Sequence, residues 1–122
     1  MDTYSKSITL DVNAEDNYKL IKVKQNDILG RQIAITLQKD GVAFTPSGVS
    51  ETRFRVERPD GTEAMVNSGI TASDNVYTVA LTDECLAVAG KALCDLAFLD
   101  ASGNTLSSET FIMKIIPVPI EG

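Results

Sequence analysis

Gln32-Ile33-Ala34-Ile35-Thr36-Leu37-Gln38-Lys39-Asp40-Gly41-Val42-Ala43-Phe44 reads as a β-hairpin from end to end. Ile33, Ile35 and Leu37 fall on one face of an extended chain, and Gln32, Ala34, Thr36 and Gln38 on the other. This is the period of two that a half-buried strand requires. Asp40-Gly41 follows, a pair that tolerates positive φ at both central positions of a type I′ turn. Val42 to Phe44 is therefore expected to pair back on the first strand.

Outward from this hairpin the same alternation recurs between turn signals. Ile8, Leu10 and Val12 alternate with Thr9 and Asp11, and Tyr18 to Lys24 forms a second run after the polar Asn13-Ala14-Glu15-Asp16-Asn17. Beyond the loop Thr45-Pro46-Ser47-Gly48, Phe54 and Val56 alternate with Arg53, Arg55 and Glu57. Pro59-Asp60-Gly61-Thr62 is a turn, with Pro fixing φ and Gly free to turn it positive. Glu63 to Asn67 returns, Ser73-Asp74-Asn75 turns again, and Tyr77, Val79 and Leu81 make the next strand. Thr82 as N-cap, acidic Asp83 and Glu84 after it, and Gly90 at the close predict one short helical turn. Cys94, Leu96 and Phe98, the turn Asp100-Ala101-Ser102-Gly103-Asn104, and Phe111, Met113 and Ile115 complete the series. Pro117 and Pro119 end it, since proline cannot donate to a ladder.

Eight or nine short strands predict an all-β antiparallel sandwich, with a barrel as second choice. The expected division is a sandwich over 1–116 and a proline-containing exit linker over 117–122. Ile33, Ile35, Leu37, Phe54, Val56, Tyr77, Val79, Leu96, Phe98, Phe111 and Met113 form the inward side of the alternation and are expected to be buried.

Composition narrows the function classes. A chain of 122 residues fits one hydrophobic core. With no Trp, four Phe and three Tyr, that core is aliphatic. Eleven Lys and Arg against seventeen Asp and Glu give a net charge of −6, and the cations are scattered, which argues against nucleic acid. No apolar run approaches the ~20 residues that cross a bilayer, and the amino terminus lacks the apolar stretch of a secretory signal. Nothing in the sequence points to a secreted or membrane-bound protein.

There is no His, which removes the commonest general base and the commonest transition-metal ligand. Ser-His-Asp and Cys-His hydrolases are excluded with it. Zinc held by Cys85 and Cys94 would need unusual carboxylate help; the two are compatible with a disulfide, but they read best as buried thiols. No phosphate-binding glycine loop or nucleophile elbow is present. Asp100 to Asn104 resembles part of a calcium loop, yet the closing carboxylate that such a loop needs is missing, because Glu109 is expected within a strand. Asp40, Asp60 and Asp83 each have a turn or cap role, so no acid pair for glycosidase chemistry is argued. No catalytic, cofactor-binding or metal-binding residue is therefore assigned. Arg53 and Arg55 project from the same face of one strand; a solvated face and a protein-binding face both fit them.

The order of these signals resembles a family. Lys6-Ser7-Ile8-Thr9-Leu10-Asp11-Val12, Ile21-Lys22-Val23-Lys24-Gln25-Asn26-Asp27, Arg31-Gln32-Ile33-Ala34-Ile35-Thr36-Leu37 and Phe54-Arg55-Val56-Glu57-Arg58-Pro59-Asp60-Gly61-Thr62 are similar to the amino-terminal domain of baseplate upper proteins. These proteins belong to tailed phages or prophages of Gram-positive bacteria. Leu81-Thr82-Asp83-Glu84, Ala89-Gly90-Lys91, and the stretch from Phe98-Leu99-Asp100 to Glu109-Thr110-Phe111 agree in type and order.

The resemblance implies an immunoglobulin-like sandwich without enzymatic activity or cofactor. It also implies a virion structural role: docking to the central tail hub and supporting the peripheral receptor-binding device, in several copies. The partners so implied are other baseplate proteins, with a homo-oligomer in the virion as a further expectation. Synthesis in the reducing host cytoplasm implies that Cys85 and Cys94 stay reduced. A different class of function, a carbohydrate- or cell-surface-binding module, is the alternative; the lack of Trp leaves it without a stacking platform.

Overall fold

The computed structural model describes residues 5–13, 18–25 and 32–117. Among these described residues eleven strands are present: β1 (Ser5–Asp11), β2 (Leu20–Lys24), β3 (Gln32–Lys39), β4 (Val42–Ala43), β5 (Glu51–Glu57), β6 (Glu63–Val66), β7 (Ile70–Ser73), β8 (Val76–Ala80), β9 (Gly90–Leu99), β10 (Thr105–Ser107) and β11 (Phe111–Ile116). They form two sheets. Sheet A runs β1-β3-β8-β7, with β4 on the end of β3; sheet B runs β2-β11-β9-β5-β6, with β10 beside the second half of β9.

The deciding hairpin is as its sequence demands. Asp40 and Gly41 both have positive φ (55° and 79°), and Lys39 and Gln38 pair with Val42 and Ala43. All eleven residues expected in the core are buried, none more than 6% exposed. Tyr77 of sheet A meets Phe98 of sheet B at 5.3 Å between ring centroids. Phe54 and Phe111 lie 6.1 Å apart within sheet B. Such pairs add to the area term that dominates core stability.

Several expectations need correction. The sandwich is not purely antiparallel, because β1 pairs parallel with β3 and β2 parallel with β11. The chain passes from sheet A to sheet B and back in its first three strands, and two such passes restore the original direction. The second strand begins at Leu20 rather than Tyr18, whose φ of 49° is incompatible with an extended strand.

The helical turn expected at 82–90 is not a helix. Thr82, Asp83 and Glu84 accept from Cys85, Leu86 and Ala87, three successive i→i+3 turns. Arg58 Nε takes the Glu84 carbonyl at 2.8 Å, and consecutive Cys85 and Leu86 are both buried. Burying adjacent side chains at the end of a sandwich suits a compact turn better than a helix, which rotates neighbours apart by about 100°. Gly90 then opens β9 at φ 129°, where an added Cβ would meet Pro59 at 3.1 Å.

Glu109 does not lie in a strand. It sits buried between β10 and β11, and reaches across to sheet A. Residues 118–122 of the expected exit linker lie outside the described residues, as do 14–17 and 26–31.

Candidate interaction surface

The outer face of sheet B carries exposed side chains, and strand alternation decides which of them stand on it. On β5 the inward Phe54 and Val56 leave Arg53, Arg55 and Glu57 pointing out. Register places Arg55 opposite Asp95 on β9 and Met65 on β6, and Glu57 opposite Leu93 and Glu63. These residues line an open groove of about 610 Å³.

Arg53 and Arg55 thus share a face as expected, but each is held by a carboxylate of its own sheet. Arg55 makes a two-pronged contact with Asp95, Nε to Oδ1 at 2.7 Å and Nη2 to Oδ2 at 2.6 Å, and donates to Ser107 Oγ at 2.9 Å. Arg53 donates to Glu51 through Nε and Nη2, the latter at 3.3 Å. Hydrogen bonding to these acids raises both guanidinium pKa values, and Arg53 together with Asn67 lowers that of Glu51. The forks are therefore satisfied before any partner arrives.

The rest of the face carries a pattern that no single strand reveals. Leu20, Ile112 and Leu93 stand directly opposite one another on β2, β11 and β9, and one pleat further along stand Lys22, Lys114 and Lys91. Leu20 is 46% exposed and Leu93 38%. Among the described residues the side chains of the three lysines have neither an ion pair nor a hydrogen bond. Sequence reading missed both rows, because they join strands far apart in the chain and depend on a parallel pairing of β2 with β11. The available signal was that Leu20 and Leu93 are apolar at outward positions, each two residues from a lysine.

The other sites weighed in the sequence have structural roles. Asp100 Oδ1 accepts from the backbone N–H groups of Ser102 and Asn104, and Oδ2 from the Asn104 side chain. This closes the turn and leaves no convergent oxygens for calcium. Asp60 Oδ1 accepts from Thr62 N–H and Oγ1–H; Asp40 Oδ1 accepts from the Asn13 amide. Cys85 and Cys94 are buried free thiols, and burial pushes the Cys94 pKa strongly up. Among the described residues no three His, Cys, Asp or Glu are grouped to hold a metal ion, and no helix is long and apolar enough to cross a membrane. The surface can bind by shape, charge and apolar contact.

No curated protein sequence matches the chain. Among solved structures, the N-terminal domain of phage TP901-1 ORF48 superposes with a TM-score of 0.72 at 18% identity, covering 92% of this chain and 98% of that one. That likeness shows a shared fold. A fibronectin(III)-like module of Clostridium thermocellum CbhA overlays loosely, with a TM-score of 0.46 at 15% identity over 91% of this chain and 98% of that one. The BppU N-terminal domain matches residues 4–120, and the chain accordingly belongs to this family, the amino-terminal structural domain of phage baseplate upper proteins.

Proposed function

We propose that this domain docks on the central hub of the phage tail and holds the peripheral, receptor-binding part of the baseplate to it, in several copies per virion. Family membership supplies the setting. The single observation that carries the docking role is the open outer face of sheet B, where exposed apolar side chains lie between charged ones. An apolar centre with a polar rim is the make-up of a protein contact. Arg53 and Arg55, already held by Glu51 and Asp95, serve as part of that rim.

Docking falls to the sandwich itself in this reading. Pro117 follows β11 directly and cannot donate to its ladder, so the strand ends there. Among the described residues Tyr18 is the one aromatic ring at the exposed surface, so the carbohydrate-binding alternative lacks a platform of stacked rings.

The test is binding of the purified domain to the purified hub assembly of its tail, measured by calorimetry and pull-down. A saturable complex is expected. Failure to bind the hub or any other baseplate protein would remove the docking role.

A further inference from the structure

We infer that the contact is made by the lysine row Lys22–Lys114–Lys91 together with the apolar row Leu20–Ile112–Leu93, and that the partner surface is a protein face bearing carboxylates beside an apolar ridge. The inference rests on the docking role and names its face and chemistry.

Three like charges directly opposite one another on neighbouring strands repel, and such pairs destabilise a sheet. No carboxylate of the described residues forms an ion pair with any of the three. The chain holds an excess of acidic residues, with a net charge of −6, and on this face Glu51 and Asp95 pair with the arginines rather than with the lysine row. A row that weakens the free domain is matched when carboxylates of another surface complete it. Strand spacing roots the three lysine side chains about 5 Å apart, a pitch that side chains of a facing sheet or helix can meet.

The adjacent Leu20, Ile112 and Leu93 favour a protein over other polyanions, because phosphates would leave them wet and uncovered. Nucleic acid is disfavoured further by the overall charge. The arginines contribute less than the lysines, because their forks are already filled by Glu51 and Asp95.

The experiment compares wild type, Lys22→Gln/Lys91→Gln/Lys114→Gln and Leu20→Ser/Leu93→Ser for binding to the purified hub assembly at several salt concentrations. Thermal melting is recorded alongside. Wild-type affinity is expected to fall with salt. The lysine variant should bind roughly tenfold more weakly with a flattened salt dependence, while melting no lower than wild type. The leucine variant should lose a similar factor with the salt dependence kept. A lysine variant that binds within twofold of wild type overturns the assignment while leaving the docking role intact. One that loses its fold makes the row a stabilising feature, and this also overturns it. Wild type captured by phosphatidylglycerol-containing vesicles in preference to the hub overturns the protein partner, and wild type that binds no baseplate protein removes the docking role and this inference together.

Discussion

Glu109 ties the two sheets together, and its position shows how a single side chain closes one end of the sandwich. Its Oε2 accepts the Asp11 N–H at 2.8 Å and lies 3.5 Å from Lys19 Nζ, while its own N–H donates to the Asp11 carbonyl at 2.9 Å. The side chain is 1% exposed. Removing it strands the Asp11 donor, and an unmet buried hydrogen-bonding group costs about 1–3 kcal/mol. Glu109→Ala is accordingly expected to lower unfolding stability by about 2 kcal/mol, and Glu109→Gln by less, since an amide oxygen still accepts. Urea denaturation of both variants checks this, and equal losses would shift the cause from the acceptor to the charge beside Lys19. None of it was legible in the sequence. Glu109 reads there as one more polar position in an alternating run, because the partner that makes it structural is 98 residues away. Local pattern did give the eleven core residues, since each side of a strand is dictated by its neighbours two positions off.

At the scale of elements, turn chemistry was the most legible feature and strand pairing the least. Asp40-Gly41, Pro59 to Thr62 and Asp100 to Asn104 all close hairpins where the sequence placed them, because φ preference and side-chain capping act over a few residues. β7 and β10 were missed: one has Ile70 as its lone large apolar residue and the other exposes Leu106, so neither shows the alternation that marks a half-buried strand. The parallel pairs were invisible because nothing local encodes which distant strand a sequence adjoins, and the lysine and apolar rows went unseen with them. The turns also predict acid sensitivity. Hydrogen bonds from Thr62 lower the Asp60 pKa, and those from the Asn104 side chain and backbone lower that of Asp100, both from an ordinary value of 3.8. Glu51, paired with Arg53, is lowered from 4.5. A carboxyl whose folded pKa lies below its unfolded one contributes stability above the unfolded value, and that contribution is lost as pH falls through the folded value. Melting temperature should therefore hold from neutral pH to about 4.5 and fall progressively below it. Asp60→Asn/Asp100→Asn keeps the turn acceptors but cannot be protonated, so its decline should be shallower; an identical decline would place the acid-sensitive groups elsewhere.

The whole molecule inherits its cooperativity from how the chain is threaded. β1 lies in sheet A, β2 in sheet B, β3 and β4 in A, β5 and β6 in B, β7 and β8 in A, and β9 to β11 in B. Neither sheet is a continuous stretch of sequence, so neither can form without ordering segments of the other. The middle strands show this most clearly, for β3 pairs with β1 and β8, and β11 joins β2 to β9 across most of the chain. Tyr77 against Phe98 further couples the two layers. We therefore expect a single two-state transition, as small single domains usually show, with slow folding in the millisecond-to-second range typical of non-local β topologies. Tyrosine fluorescence, to which Tyr77 of sheet A contributes, and far-UV circular dichroism, which averages both sheets, should trace one urea curve. A Phe98→Leu variant should shift the two curves together by the same amount. Two separated transitions, or a Phe98→Leu shift confined to one signal, would mean that the sheets unfold independently and that the threading does not bind them into one unit.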